Sequence, residues 1–354
     1  MLKQLELSFR RFLLKLLQRQ TSGALDSLSH LPENAKILLL RHDKIGDVLV
    51  TVPMIRILRR RFPNAQIDIL LGEKNQSAFG AVQQYCNHKL LYSKKLPAIL
   101  SLIRSLRATH YDVIIDCMDN PSSTSRTLIA LSAPRYSVGL VRGEDTFYTY
   151  PIPTPDRRTT HIVERTAQLL TAFGIEPAPE DLSLEFPMTE AQQAAAHTAL
   201  GEKTGLRLGI NISAGWEKYC GRERLIELVN QLQGIEIIGF ATADFQDELH
   251  AITKQASAMR AAPLAGSLTE FAAMLHECDV LFTPDTSVVH VAAAWKKPCV
   301  VLYANITDDL MLWTPYKSPH RALTTRESVL SAIGSREVVQ ALQEMIAGNF
   351  PGER

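Results

Sequence analysis

The sequence has few cysteines, and the five that occur form no Cys-x-x-Cys pair and no metal-ligand spacing. Four of them lie in or beside apolar runs, where a cysteine usually packs as a small core residue. No apolar run is long enough to span a bilayer, and there is no cleavable signal pattern. The formal net charge is only +1 at pH 7, which gives no electrostatic reason to expect a nucleic-acid partner. We therefore expect a protein of a reducing, cytoplasmic compartment that binds no nucleic acid.

Two common nucleotide-binding motifs are absent as well. No Gly-x-Gly-x-x-Gly follows a predicted strand and no Gly-x-x-x-x-Gly-Lys-[Ser/Thr] occurs, so neither the dinucleotide fingerprint nor the P-loop is available. There is no Asp-x-Asp to hold a nucleotide-bound metal, and no close His, Asp or Glu cluster has metal-ligand spacing. We expect no cofactor and no metal requirement.

What the sequence does contain is a regular alternation of apolar strands and helices. Strand 36–41, helix 48–62 and strand 66–71 follow each other with short links, which indicates a parallel βαβ unit. A second series of the same kind starts at strand 207–212. The length of 354 residues suits two domains. The predicted fold is therefore α/β, with two Rossmann-like doubly wound domains facing each other across a cleft.

The predicted domain boundaries follow from breaks in this alternation. Residues 136–155 are rich in Gly, Tyr, Thr and Pro and are predicted to be an irregular surface segment. Residues 174–187 contain three prolines and are predicted to connect the domains. The resulting division is an N-terminal helix and linker (1–34), a first domain (35–185), a second domain (186–334) and a C-terminal helix and tail (335–354).

Residues 1–20 differ in character from the rest of the chain. Leucine and phenylalanine recur there at helical spacing, and five Lys or Arg lie mostly on the other faces of the predicted helix. A basic amphipathic helix can lie in an anionic membrane interface. Its apolar stripe can equally pack on the body of the protein, and the pattern fits both interpretations.

The first polar loop follows the first strand and contains Lys44, Gly46 and Asp47. Gly46 allows close approach of the backbone, and Asp47 stands at the start of a helix, where α/β sheets bind ligands. Asp47 is a candidate functional carboxylate, but an aspartate at this position can also act only as a helix cap. Asp43 has the same two interpretations.

A second polar loop follows the first strand of the second series. It runs from Asn211 through Ser213 to Lys218 and contains small residues ahead of the lysine. Such a segment at the mouth of a parallel sheet can bind phosphate, although an exposed lysine is more commonly just solvated.

A third polar loop follows the predicted strand 278–282. Asp285, Thr286 and Ser287 precede a helix, whose N–H groups and dipole favour an anion, and His290 falls in its first turn. Small residues then let the helix pack closely on a sheet. The sequence therefore predicts an anion-binding tip at this point.

Two sequence blocks, taken together, point to one family. The first is Arg41-x-Asp43-x-x-Gly46-Asp47-Val48-x-x-Thr51-x-Pro53, and the second is Asp285-Thr286-x-x-x-His290-x-Ala292-Ala293-Ala294-x-x-Lys297-Pro298. Shorter matches lie at Tyr111-Asp112, His161-x-Val163-Glu164-Arg165, 210–218 and Leu264-Ala265-Gly266. Over about residues 36–330 the chain resembles the family 9 glycosyltransferases, the heptosyltransferases that build the inner core of bacterial lipopolysaccharide.

The resemblance implies a GT-B fold, with the acceptor on the first domain and the nucleotide sugar mainly on the second. It implies that Asp47 is the general base and that Lys218 contacts the donor diphosphate. By the same resemblance Asp285, Thr286 and His290 fall in the donor-binding motif. Ser213 and Ser287, in the second and third polar loops, are further candidate donor-binding residues, and Asp43, Lys44 and Gly46 are candidates for acceptor binding or loop support.

The implied reaction is an inverting, metal-independent transfer of heptose from ADP-heptose to the inner core of lipopolysaccharide, either to Kdo or to heptose of Kdo-lipid A. The enzyme would act as a peripheral protein at the cytoplasmic face of the inner membrane. Ser287 departs from the family, which usually has glycine there, and this bears on donor specificity. The alternatives are the same fold with another nucleotide sugar or glycan acceptor, or an inactive nucleotide-binding scaffold.

Overall fold

The computed structural model describes residues 27–348 except 121, 144, 146, 306 and 308. The chain forms two compact units. Unit 1 takes the described residues up to Asp156 together with Ile162–Leu182, and unit 2 takes Arg157–His161 with the described residues from Ser183 onward. The helix predicted over residues 1–20 lies outside the described residues. Among the helices that are described, none is long and apolar enough to cross a membrane.

Unit 1 is a parallel sheet with helices on both of its faces. Its strands are β1 (Lys36–Leu40), β2 (Gln66–Gly72), β3 (His88–Tyr92), β4 (Val113–Asp116), β5 (Tyr136–Val141) and β6 (Tyr150–Pro153). Its α-helices are α1 (Ile45–Arg61), α2 (Leu96–Thr109), α3 (Ser123–Ser132) and α4 (Ile162–Ala167), and its 3-10 segments are Gln76–Ala81, Gln168–Phe173 and Pro179–Leu182. The strand order is β3-β2-β1-β4-β5-β6, and all neighbours are parallel.

Unit 2 repeats this architecture. Its strands are β7 (Arg207–Asn211), β8 (Glu236–Phe240), β9 (Met259–Ala261), β10 (Val280–Pro284), β11 (Cys299–Ala304) and β12 (His320–Thr325). Its α-helices are α5 (Glu190–Leu200), α6 (Arg222–Gln231), α7 (Gln246–Gln255), α8 (Leu268–His276), α9 (Val288–Ala294) and α10 (Ser335–Ile346), and its 3-10 segments are Trp216–Lys218, Ala243–Phe245, Leu310–Trp313 and Leu330–Ala332. The order is β12-β11-β10-β7-β8-β9, again parallel throughout.

The central strands are apolar because helices cover both faces of each sheet. Residues 37–40 of β1 and all of β4 are buried. In unit 2 the last helix, α10, packs into the core through Val338, Leu342 and Met345. The five cysteines are all buried and form no disulfide bonds, as expected for small core residues.

The prediction for residues 136–155 was wrong, because two strands lie where an irregular segment was expected. β5 and β6 pair with Val138 opposite Tyr150. The two prolines of β6, Pro151 and Pro153, are compatible with a strand because β6 is at the edge of the sheet and forms a ladder on one side only. The Tyr, Val and Ile residues of the segment determine its conformation.

Other differences concern edges and helix ends. β12 was not predicted, because its half-buried, polar sequence lacks an apolar run. The sequence predicts a helix near residues 77–84, where the structure has the 3-10 segment Gln76–Ala81. It also predicts a helix over 244–259 and a short strand or turn over 262–265, whereas the helix ends at Gln255 and β9 lies at Met259–Ala261.

Candidate active site

Each sheet has one point at which the direction of the strand order reverses. In unit 1 the chain passes from β1 to β2 and β3 on one side and then continues with β4 on the other, so its direction reverses between β1 and β4. In unit 2 the reversal lies between β7 and β10. Open α/β sheets bind ligands at such switch points, because neighbouring loops leave in opposite directions. The three polar loops predicted from the sequence follow β1, β7 and β10.

Arg41 joins the two strands at the switch point of unit 1. It follows β1 and is fully buried. Its Nε donates to the main-chain oxygen of Asp47 at 2.8 Å, and its Nη1 donates to the carbonyl of Cys117, directly after β4. The guanidinium also lies 3.3 Å from Asp43 Oδ2 and 3.7 Å from Asp47 Oδ1. One buried cation therefore balances two carboxylates, a role that was not predicted for it.

Asp47 is the third residue of α1, and both of its carboxylate oxygens have contacts. Oδ2 accepts a hydrogen bond from the Lys44 N–H at 3.2 Å, which satisfies a donor at the helix N-terminus. Oδ1 faces Arg41, and the main-chain oxygen also accepts from Thr51 Oγ1 at 2.7 Å. The side chain is 14% exposed. The capping contact expected by the plainer interpretation is present, and the same carboxylate is held rigidly at the protein surface.

Asp43 is the second carboxylate on Arg41, with 20% of its side chain exposed. Burial raises its pKa to about 6; Arg41 opposes this shift and the charge of Asp47 adds to it. Asp43 therefore changes charge in the weakly acidic range, next to Asp47. Lys44 is exposed, and its side chain is not one of the charged groups paired with Arg41.

The loop is fixed from beneath by Asn75, for which no role was predicted. Asn75 is fully buried. Its Nδ2 donates to the carbonyls of Arg41 at 2.8 Å and Lys44 at 3.4 Å, while its Oδ1 accepts from the Gly72 N–H at 2.7 Å. A Cβ on Gly72 would lie 2.7 Å from the His42 carbonyl oxygen. Only glycine fits there, so the end of β2 and the loop after β1 are in direct backbone contact.

Two further aspartates lie in the same unit, Asp116 at the last position of β4 and Asp119 just after it. Asp116 is buried and accepts hydrogen bonds from Tyr148 Oη at 2.7 Å and from the Met118 N–H at 3.2 Å. Burial raises the pKa of its carboxyl to about 6. Asp119 accepts from Nε of the buried Arg165 at 2.8 Å. The sequence contains one feature that could have identified Asp116 as a candidate site residue. It is an aspartate at the end of an apolar strand, where these sheets present ligand-binding groups.

Asn211 holds the switch point of unit 2 together. Its Nδ2 donates to Thr283 Oγ1 at 3.0 Å, to the carbonyl of Ser213 at 3.1 Å and to Thr286 Oγ1 at 3.3 Å. Asn211 and Thr283 are buried, at the ends of the neighbouring strands β7 and β10. The Ser213 hydroxyl accepts from the Thr242 N–H at 2.7 Å, after β8. Hydrogen bonds between neutral groups position these loops.

Lys218 is the cation of this site, and the structure places it against Asp285. Its Nζ contacts the Asp285 carboxylate and donates to the Asp285 main-chain oxygen at 3.3 Å. About a third of each side chain is exposed, 34% and 32%. An ion pair this open to water is weak, so an incoming anion can compete for the lysine.

Thr286, Ser287 and His290 stand at the start of α9. Thr286 Oγ1 accepts from the Val288 N–H at 3.3 Å, whereas the Ser287 side chain makes no capping hydrogen bond. His290 is buried, with its ring 6.1 Å from that of Trp313. α9 has only seven residues, so its dipole is a weaker anion-binding device than the sequence suggested. Within the described part of the chain, no group of three or more His, Cys, Asp or Glu could hold a metal ion.

The family model of glycosyltransferase family 9 (heptosyltransferase) matches residues 99–333, about two thirds of the chain. The chain belongs to this family. It is similar to lipopolysaccharide heptosyltransferase 3 of Escherichia coli, with 22% identity over 342 residues that cover 87% of this chain and 98% of the relative. A glycosyltransferase activity is thereby established for the chain at the level of the family.

Solved structures of the family have the same fold. A family 9 glycosyltransferase from Veillonella parvula superposes with a TM-score of 0.70 at 20% identity, covering 92% of this chain and all of that one. The Escherichia coli ADP-heptose lipopolysaccharide heptosyltransferase II gives 0.68 at 21% identity, covering 89% and 99%. The predicted GT-B class, with two doubly wound α/β units, is confirmed.

Proposed function

We propose that this family 9 glycosyltransferase transfers a heptose from ADP-heptose to the Kdo or heptose of the lipopolysaccharide inner core. The donor assignment is supported by the relatives: structures exist of the Escherichia coli heptosyltransferase WaaC with ADP and with ADP-2-deoxy-2-fluoro heptose. The acceptor assignment is supported by the similarity to lipopolysaccharide heptosyltransferase 3. We further propose that the enzyme works at the cytoplasmic face of the inner membrane.

The observation that carries the proposal is the carboxylate of Asp47, fixed and partly exposed at the switch point of unit 1. A sugar hydroxyl has a pKa far above neutral, so it needs a base as it attacks the anomeric carbon of the donor. Asp47 accepts that proton in our proposal. Its main chain is held by Arg41 and Thr51, so the base is preorganised on a helix start. A single displacement inverts the configuration at the anomeric carbon.

Lys218 has the complementary task in unit 2. The departing nucleoside diphosphate gains negative charge as the bond to the sugar breaks, and a lysine beside it stabilises that charge. In the structure the Asp285 carboxylate pairs with the Lys218 ammonium beside the β7–β10 switch point. On donor binding the diphosphate takes this ammonium, and Asp285 becomes free for sugar hydroxyls. Thr286, Ser287, Ser213 and His290 complete the proposed donor site, and we propose that no metal takes part.

The test is transfer of radiolabelled heptose from ADP-heptose to a detergent-dispersed inner-core acceptor. Asp47→Asn keeps the shape and the helix cap but removes the base, so we expect kcat to fall about 100-fold or more. Lys218→Met removes a charge-assisted contact to the donor diphosphate that strengthens as the leaving group gains charge, so we expect the donor KM to rise about tenfold and kcat to fall as well. Asp247→Asn is the matched control, because Asp247 is an exposed aspartate in the first turn of another helix.

The outcomes separate the proposal from its alternatives. Full transfer by Asp47→Asn would show that another group is the base. A thermal-shift panel of ADP, UDP, GDP, CDP and their sugars identifies the donor, because a ligand that binds only the folded state raises its stability. A selective shift by UDP or GDP would replace ADP-heptose with another donor. Binding without any transfer in all variants and the wild type would indicate a nucleotide-binding scaffold.

A further inference from the structure

Helix α2 leaves two leucines in solvent on its outer face. Its inner face packs into the core of unit 1 through Leu102 and Leu106, which are 8% and 1% exposed. Leu96 and Leu100 are 66% and 46% exposed, and they lie one turn apart at i and i+4, on one side of the helix. The outer face therefore carries an apolar stripe that the described residues of unit 1 leave exposed.

The segment around this stripe is strongly basic. The chain as a whole has a formal net charge of +1, but residues 74–111 contain no Asp or Glu and six Lys or Arg. Those six are Lys74, Lys89, Lys94, Lys95, Arg104 and Arg107. Lys94 and Lys95 are exposed immediately before the helix, and Arg104 is exposed two turns beyond Leu96, on the same side. Apolar and cationic groups are thus combined on one surface.

We propose that the α2 face, defined as Lys94, Lys95, Leu96, Leu100 and Arg104, rests on the anionic surface of a phospholipid bilayer. A helix that lies in the interface buries apolar side chains at the headgroup boundary while its cations pair with acidic lipids. This inference rests on the proposed function in one respect, since a lipid-linked acceptor requires an enzyme that works at a membrane. It places a membrane contact within unit 1, separate from the basic helix predicted over residues 1–20.

Charge distinguishes the bilayer from the two occupants that the chain itself could supply. Residues 1–20 contain five Lys or Arg and one Glu, so their apolar stripe would bring further positive charge to the α2 face. A second copy docking through the same face would set two basic surfaces against each other. An anionic lipid surface is attractive instead, and each Lys or Arg that reaches it strengthens binding about fivefold.

The experiment measures vesicle binding by the full-length chain. Flotation is compared for phosphatidylcholine vesicles and for the same vesicles containing phosphatidylglycerol. We expect tight binding only to the anionic vesicles, with an affinity that falls as salt is added. Lys94→Glu/Lys95→Glu removes two cations, so the affinity should drop about 25-fold or more. Leu96→Ser/Leu100→Ser should weaken binding to the anionic vesicles without removing its salt dependence.

Matched controls come from unit 2. Leu264→Ser replaces a leucine that is 53% exposed, and Lys254→Glu reverses an exposed lysine on α7. Both should bind vesicles as the wild type does. The proposal is overturned if the α2-face variants bind like the wild type, if the controls lose as much, or if the wild type binds neutral and anionic vesicles equally.

Transfer to detergent-dispersed acceptor separates this inference from the proposed function. Lys94→Glu/Lys95→Glu should retain wild-type transfer in detergent, because none of the altered groups belongs to the site. Loss of transfer by the wild type in detergent, with vesicle binding intact, would count against the proposed function and leave the α2 face supported. If the α2 face binds a protein partner instead of a bilayer, the chain will bind no vesicles, and that result overturns the proposal.

Discussion

Replacing Arg41 tests the organisation of the site in unit 1. The guanidinium lies 3.3 Å from Asp43 Oδ2 and 3.7 Å from Asp47 Oδ1. At an effective dielectric constant of about 20, each contact contributes about 5 kcal/mol of Coulomb attraction, which desolvation of the buried guanidinium largely offsets. Removing one partner of a buried ion pair nevertheless costs about 3–5 kcal/mol, because the other charges stay behind. Both carboxylates are partly exposed, so we expect the lower end, about 3 kcal/mol, for Arg41→Met near neutral pH.

The loss should depend on pH in a defined direction. The folded-state pKa of Asp43 is raised to about 6, above its value in the unfolded chain. Its contribution to stability is therefore fully present at pH values below the unfolded pKa and is lost as the pH rises through about 6. Arg41 opposes the shift. Without Arg41 the folded pKa of Asp43 rises further, and the loss extends to higher pH. The destabilisation by Arg41→Met is therefore larger at about pH 8 than at about pH 5.

Urea unfolding at the two pH values measures this difference. The double variant Arg41→Met/Asp43→Asn should recover part of the loss, because it removes a carboxylate that has no partner. Arg41→Lys keeps a charge but loses the fork geometry, so kcat should fall while the donor KM stays unchanged. An equal loss at both pH values would refute the electrostatic account, and a change confined to the donor KM would refute the positioning of Asp47.

Two other substitutions test the supporting structure of unit 1. Asp116→Asn should reduce the pH dependence of stability. The raised pKa of about 6 for the Asp116 carboxyl corresponds to about 3 kcal/mol of stability that is lost as the pH rises from about 4 to 8. Urea unfolding across this range measures the change, and an unchanged slope of stability against pH would show that Asp116 is not responsible. Gly72→Ala should cost about 1–3 kcal/mol and displace the loop after β1, because the new Cβ would meet the His42 carbonyl oxygen at 2.7 Å. Gly205→Ala is its control, since nothing lies within 4 Å of a Cβ at Gly205, and thermal unfolding with the transfer assay reads both.

Central strands such as β1 and β4 could be predicted from the sequence, whereas β5 and the edge strands β6 and β12 were missed. A strand covered on both faces by helices is apolar throughout, as in β1 and β4, and an unbroken apolar run is visible in any single sequence. β6 and β12 lie at the edges of their sheets, where one side is open and prolines, histidines or threonines are accommodated. Their pairing depends on a neighbouring strand that is distant from the local pattern.

The loops of the site were predictable for a related reason, because a polar segment directly after an apolar strand marks the carboxyl edge of the sheet. The positions of Asp47 and Lys218 in such loops were predicted in this way. The contacts of Arg41 and Asn75 were not. Arg41 is bonded to the carbonyl of Cys117, 76 residues away, and Asn75 bonds back to the loop after β1 across 31 to 34 residues. Such contacts depend on strand order, which no local pattern contains.

The loops at the two switch points are held by different kinds of contact, ion pairs in unit 1 and neutral hydrogen bonds in unit 2. This difference matches the different roles that we propose for the two units. In unit 1 a buried cation, Arg41, holds two carboxylates, so the exposed group is an anion that can accept a proton. In unit 2 a buried amide, Asn211, ties the loops through neutral hydroxyls, and Lys218 lies beside Asp285 at the end of β10. This difference is consistent with our proposal that unit 1 accepts the proton and unit 2 stabilises the leaving group.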